Sequence, residues 1–272
     1  MITNVDLIDV KELTSIVQEK YNEDFSEFAT TAYRRRVEKA GNDLRIPTMS
    51  VLLEKIKTDP ATFQKFKKQL IIPTTEFFRD PSFWRKLREE ITKKHKATAF
   101  RVWVAGCSSG EELVSLAILL KELDIYDNSK ILATEITDQV FSDIKMGNFE
   151  SRSIETGESN YERFEGKKKF EDYLKTTNGR TTIDSDLLTN VTFQASSVDL
   201  SEVTGKFDLI LCRNVFIYCN LNLQDKMIKS FDQRLFPSGL FAIGVKESLN
   251  SSRYKNSFLV VSEEENIFKS KM

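Results

Sequence analysis

The chain reads as an α/β protein, with a helical N-terminal domain followed by a sheet whose strands alternate with helices. Three observations predict this. The first hundred residues carry apolar stripes at three-to-four-residue spacing. From Ala99 onward, short apolar runs alternate with helical stripes. Near the end, the runs 258–261 and 266–268 have the spacing of a closing hairpin, which a mixed sheet accommodates.

Each element follows in order. Leu7, Ile8, Leu13, Ile16 and Val17 form the first helical stripe. Phe25, Phe28, Ala32, Tyr33 and Val37 form a second, which Gly41 is expected to end. Thr48 precedes a third stripe of Val51, Leu52, Leu53 and Ile56, closed at Asp59-Pro60. Phe63, Phe66, Leu70 and Ile71 make a fourth. Asp80-Pro81 supplies an N-cap with proline at the first helical position, opening a helix through Phe83, Trp84, Leu87 and Ile91. Strands are expected at 100–105, 131–134, 191–195, 207–212 and 240–245. Helices are expected over 113–123, 140–144 and around 227–231. A turn at Pro237-Ser238-Gly239 is expected before the fifth strand. Residues 148–190 are polar and lysine-rich and show the least periodicity, the mark of a functional or mobile segment.

Composition narrows the function. The 272 residues carry 40 basic and 41 acidic side chains, so no global field points to nucleic acid. The balance hides a local asymmetry. Residues 31–100 hold seventeen basic against eight acidic residues, and Arg34-Arg35-Arg36 is the densest part. Such a run is either a solvated helix face or a docking surface for something acidic. One histidine, His95, leaves no multi-histidine metal site, and a metal is not expected. Three cysteines without a CxxC argue against a disulfide framework or a zinc knuckle. No long apolar run and no basic-then-apolar leader is seen. A cytoplasmic protein without membrane insertion is therefore expected, with a monomer as the default.

The candidate site lies at strand ends. Ala105-Gly106-Cys107-Ser108-Ser109-Gly110 follows the first strand, where small residues let a ligand approach the backbone. It lacks both G-x-G-x-x-G and G-K-[ST], which disfavours dinucleotide and P-loop readings. Glu111 opens the next helix. Its carboxylate either complements the helix N-terminus or meets a cationic ligand. Glu135 ends the second strand, where an acidic side chain accepts ribose hydroxyls in nucleoside-binding sheets. Asp199 ends a third. A small-residue loop with strand-end carboxylates fits a nucleoside bearing an ammonium or sulfonium, and S-adenosylmethionine has both.

Four blocks carry a family resemblance. Thr75-Glu76-Phe77-Phe78-Arg79-Asp80 resembles the T-x-F-F-R-D signature of the chemotaxis-receptor glutamate methyltransferases, the CheR family. Residues 101–112, RVWVAGCSSGEE, resemble R-V-W-S-A-G-C-S-T-G-E-E. Ala133-Thr134-Glu135-Ile136 resembles A-T-D-I. Residues 207–218, FDLILCRNVFIY, resemble F-D-x-I-x-C-R-N-V-x-I-Y. The departures are Pro73 for an asparagine, Glu135 for an aspartate, Glu111-Glu112-Leu113-Val114-Ser115 for E-E-P-Y-S, Asp199-Leu200 for an Asn-Leu pair, and Gly244-Val245-Lys246-Glu247 for G-H-S-E.

The resemblance implies a helical N-terminal domain (1–70) and a connecting segment and helix with the T-x-F-F-R-D motif (71–98). A class I, Rossmann-like, S-adenosylmethionine-dependent methyltransferase domain (99–272) follows, with a small inserted subdomain (148–190). It implies cofactor contacts at Thr75, Arg79, Glu111, Glu135, Asp199, Leu200, Asn214 and Val215. Arg79, Asn214 and Tyr218 are implied in catalysis, and Arg34, Arg35 and Arg36 in docking. The implied reaction transfers methyl from S-adenosylmethionine to glutamate side chains of a chemoreceptor, leaving S-adenosylhomocysteine. An ionised glutamate needs no general base at neutral pH. The implied partner is a methyl-accepting chemotaxis receptor or another acidic helical protein. The alternatives are a CheR-like methyltransferase with a different acceptor, or a non-catalytic cofactor-binding signalling module.

Overall fold

A computed structural model of the chain describes residues 1–71, 75–94, 99–177 and 180–271. Pro73 and His95, singled out above, lie outside them. The chain divides into two compact units: Met1–Pro73 with Val215–Lys226, and Thr74–Asn214 with Met227–Met272.

The first unit is helical. α1 (Leu7–Tyr21) starts at Asp6, whose side chain accepts the N–H groups of Ile8 and Asp9 in a capping box. α2 spans Thr30–Asp43, α3 Met49–Thr58 behind the Thr48 cap, and α4 Pro60–Ile71. Leu13, Val17, Val37, Leu52, Ile56, Phe63 and Phe66 form the core, each fully or almost fully buried. Phe25 and Phe28 precede α2 instead of starting it. The Asp24 carboxylate accepts the Ser26 N–H, so a local side-chain turn competes with helix here. Gly41 does not end the helix. A Cβ there would stand 2.5 Å from Ile2 Cδ1, so the glycine serves close packing. Residues Val215–Lys226 join this unit by backbone hydrogen bonds, Ala29 N–H to the Tyr218 carbonyl at 2.8 Å and Asn220 N–H to the Glu27 carbonyl at 2.9 Å.

The second unit is a seven-stranded sheet in the order β5-β2-β1-β6-β7-β9-β8. β1 is Phe100–Ala105, β2 Ser129–Glu135, β5 Val191–Ala195, β6 Phe207–Cys212 and β7 Leu235–Ile243. These five are parallel, while β9 (Ile267–Ser270) runs antiparallel to β7 and to β8 (Phe258–Ser262). The helices are α5 (Pro81–Lys94), α6 (Glu111–Glu122), α7 (Phe141–Lys145), α8 (Ser151–Phe164) and α9 (Leu221–Arg234), whose C-terminal part belongs to this unit. Strand β7 begins five residues before the expected Leu240. The Pro237-Ser238-Gly239 segment is an irregularity inside it, matched by a register shift against Phe207 and Leu209.

Residues 148–190 are more ordered than their composition predicts. They hold α8 and the hairpin of β3 (Leu174–Thr177) and β4 (Arg180–Ile183). The buried stripe of α8 is Gly157, Asn160, Tyr161 and Phe164, so half of it is not apolar. A Cβ on Gly157 would lie 2.9 Å from Phe77 Cβ, and the missing side chain lets the helix sit close. All three cysteines are buried, and among the described residues no helix is long and apolar enough to cross a membrane.

Candidate functional site

The sheet order reverses between β1 and β6. In open α/β sheets, ligands bind outside the carboxyl ends of the strands at such a switch point. The loops after β1, β2, β5, β6 and β7 all emerge on that edge, and the predicted residues of this unit lie on them or on the 75–80 segment beside them.

The loop after β1 is tightly wound. Gly106, Ser108 and Gly110 have φ of +81°, +51° and +99°. A Cβ on Gly110 would meet Ile144 at 2.8 Å, so both its backbone angle and its surroundings require glycine. Glu135, buried at the end of β2, accepts the N–H of Ser108 and of Ile136, each at 2.9 Å. The carboxylate is thus fixed against the glycine-rich loop, where ribose hydroxyls are held in this class of fold.

Glu111 opens α6 and is buried. Its carboxylate accepts Ser109 Oγ at 2.5 Å and Ser153 Oγ at 3.1 Å. Ser109 Oγ also accepts the Thr75 N–H at 3.4 Å, which links two predicted residues through one hydroxyl. Burial pushes the Glu111 carboxyl up, and the two serine hydroxyls pull it back. A cationic ligand is the chemistry that would hold it ionised.

The neighbouring Glu112 makes a different bond. Arg213, with a fully buried side chain, donates Nη1 to Glu112 at 2.8 Å and Nη2 to Asp80 at 2.7 Å. Nη2 also reaches the Arg79 carbonyl at 3.3 Å, and the guanidinium lies 3.9 Å from the Phe83 ring centre. Phe78 and Asp80 both have positive φ, so the backbone around Arg79 is sharply folded. Ser115 Oγ accepts the Phe78 N–H, and Trp84 Nε1 donates to the Arg79 carbonyl. Burial pushes the Glu112 carboxyl up, with Arg213 opposing.

Asp199 does not end a strand as expected: β5 stops at Ala195, and Asp199 accepts Ser197 Oγ at 2.8 Å and the Ser201 N–H at 3.1 Å in the turn that follows, with Leu200 beside it at φ +59°. Asn214, also at φ +59°, follows β6. The structure therefore brings Thr75, Arg79, Glu111, Glu135, Asp199, Leu200 and Asn214 to one edge of one unit. Val215, Tyr218, Arg34, Arg35 and Arg36 belong to the other. There Arg34 Nε donates to the Val5 carbonyl, Arg35 is exposed, and the Arg36 guanidinium lies 4.6 Å from the Tyr218 ring centre.

Sequence reasoning missed Glu112, Asp80, Ser109 and Ser153 as site residues and left Arg213 without a role. A charged residue directly after the apolar β6 was the available signal for Arg213. Ser153 had none, since α8 itself was not predicted.

Glycine-rich loop, strand-end carboxylates and switch point together define a nucleoside-binding, class I methyltransferase fold, and the buried Glu111 and Glu135 suit a cofactor with an ammonium and a ribose. The family model described as "CheR methyltransferase, SAM binding domain" matches residues 73–266. The Pseudomonas putida protein Cher3, named provisionally as a methyltransferase, is 33% identical over 263 residues, covering 96% of each chain. A chemotaxis protein methyltransferase of Salmonella typhimurium is 30% identical over 201 residues, covering 70% of this chain and 66% of that one. One from Listeria innocua is 26% identical over 253 residues, covering 90% and 92%. The N-methyltransferase NodS of Bradyrhizobium japonicum, solved with S-adenosyl-L-homocysteine, is similar over 72% of this chain and 89% of its own, at 10% identity and a TM-score of 0.41. The chain belongs to the CheR methyltransferase family, and its cofactor is S-adenosylmethionine.

Proposed function

We propose that the protein methylates glutamate side chains of a chemotaxis receptor, acting in the cytoplasm as a monomer. The observation that supports this reading most is that the motif blocks of the T-x-F-F-R-D, G-E-E and C-R-N segments meet at one buried guanidinium on the ligand-binding edge. Bound S-adenosylmethionine supplies an electrophilic methyl on its sulfonium sulfur. Glu111 and Arg79 hold the amino-acid part, with Thr75 beside them. Glu135 would take the ribose and Asp199 and Leu200 the adenine, and the resemblance adds Asn214 and Val215 as further cofactor contacts. The resemblance assigns Tyr218 and Asn214 to the acceptor carboxylate, which is already ionised at neutral pH and needs no general base to attack the methyl, releasing S-adenosylhomocysteine. Orientation and exclusion of water then supply much of the acceleration. Arg35, exposed on α2, offers an acidic receptor helix a cationic contact, while Arg34 and Arg36 beside it in sequence meet the Val5 carbonyl and the Tyr218 ring.

The test is tritiated methyl transfer to receptor-bearing membranes, followed by mild alkali. Carboxyl methyl esters release the label as methanol. Label that survives alkali would refute glutamate as the acceptor and favour another side chain.

A further inference from the structure

Glu247 lies after β7, is 7% exposed, and has no part in the reaction described above. Its Oε2 accepts two backbone N–H groups, from Gly244 at 2.6 Å and Asn214 at 2.9 Å. One oxygen thereby ties the loop after β7 to the loop after β6, on adjacent parallel strands. Asn214 sits at φ +59°, a backbone region that needs support from its surroundings. Gly244 supplies the complementary space, since a Cβ there would stand 2.6 Å from Asn214 Nδ2. The Asn214 amide therefore lies directly over the glycine. Asn266, on the turn between β8 and β9, donates Nδ2 to the carbonyls of Gly244 at 3.0 Å and Glu247 at 2.8 Å. The closing hairpin holds the clamp from behind.

We infer that Glu247 is a positioning residue which, with Gly244, sets where the Asn214 amide stands for cofactor binding. The inference rests on the proposed role of Asn214 as a cofactor contact. A carboxylate suits the task because a charged acceptor makes shorter, stronger hydrogen bonds to backbone N–H than a neutral one. It also explains how the family's G-H-S-E segment tolerates Val245 and Lys246 here. Those two side chains are half-buried and exposed, and the clamp uses only the glycine and the glutamate.

Calorimetric titration of the full chain with S-adenosylhomocysteine tests this in five proteins: wild type, N214A, E247A, E247Q and the double variant N214A/E247A. The single alanine variants are each expected to weaken binding about tenfold, the cost of one lost or misplaced hydrogen bond. The double variant is expected within about threefold of N214A alone, because Glu247 acts through Asn214. E247Q, which keeps an acceptor oxygen, is expected to recover most of the affinity. Losses that multiply to about a hundredfold in the double variant overturn the clamp and leave the Asn214 contact standing. Wild-type affinity in N214A overturns both. If E247A does not fold, as judged by thermal melting, Gly244→Ala takes its place. It drives a methyl into the Asn214 amide, so its loss of affinity is expected to vanish in the N214A background, and persistence there overturns the inference.

Discussion

Replacing Arg213 by methionine keeps the apolar bulk and removes the charge that three segments share. The side chain is fully buried, and Glu112, with 10% of its own side chain exposed, loses its partner inside the protein. Asp80, at 28%, retains some water. Removing one partner of a buried ion pair costs about 3–5 kcal/mol. Loss of the guanidinium from the Phe83 face adds about 1 kcal/mol, partly offset by methionine–aromatic contact. The assay is urea unfolding followed by tryptophan fluorescence. Trp84 and Trp103 are both buried in the sheet unit, so the signal reports on the unit that carries the change. The deficit also depends on pH. Burial raises the Glu112 carboxyl even with Arg213 present, and without Arg213 it rises further. A carboxyl whose folded value exceeds its unfolded one stabilises the fold at low pH, and that contribution is lost as pH rises through the folded value. The R213M deficit should therefore be largest at neutral pH and shrink on acidification. Adding Glu112→Gln should recover at least about 1 kcal/mol. A deficit below about 1 kcal/mol at neutral pH, or one equal at about pH 8 and about pH 5, refutes the reasoning.

Other outcomes follow from the same geometry. Glu135→Ala is expected to weaken S-adenosylhomocysteine about 10- to 100-fold by calorimetry, the worth of charge-assisted ribose hydrogen bonds; unchanged affinity removes the ribose role. Because the Glu111 carboxyl lies above its ordinary range, binding should weaken as pH falls toward that raised value. Glu111→Gln should flatten the profile, and an unaltered profile would assign the titration elsewhere. Gly157→Ala puts a methyl 2.9 Å from Phe77 Cβ and is expected to cost about 1–3 kcal/mol in thermal unfolding. Arg35→Glu should raise KM for receptor membranes and reduce its dependence on salt, with S-adenosylhomocysteine affinity unchanged.

Most of the sheet was legible because parallel strands buried on both faces are written as apolar runs, and their ends as abrupt polar residues. Glu135 could be read that way; Asp199 could not, because β5 ends at Ala195 and Asp199 lies in the turn beyond it. Helix α8 could not, because its buried stripe spends two positions on Gly157 and Asn160, which a hydrophobic period does not register. Asn160 is satisfied only in three dimensions, by the Phe77 carbonyl at 3.0 Å. The grouping of Val215–Lys226 with the first unit was equally silent: backbone hydrogen bonds, which any sequence can form, carry part of it, and its side-chain contacts, Lys226 and Asn222 to Glu27 and Arg36 over Tyr218, join residues far apart in sequence.

The resemblance rested on blocks scattered along more than a hundred residues, and the structure gives a physical reason for their joint presence. Arg213 lies in the middle of one block, Asp80 ends another, and Glu112 ends a third. The buried Arg213 guanidinium is held by two carboxylates and a carbonyl, and the buried Glu112 carboxylate is paired with the guanidinium. Loss of Arg213 leaves the buried Glu112 as uncompensated charge, whereas loss of Asp80 or Glu112 leaves Arg213 with the other carboxylate. The conservative exchange Arg213→Lys offers a point charge where a planar fork is required. It is expected to hold Glu112 or Asp80 but not both, and so to loosen the fold around Arg79. Near-normal S-adenosylhomocysteine affinity in that variant would show that one carboxylate suffices to hold the segment, and that the fork serves stability alone.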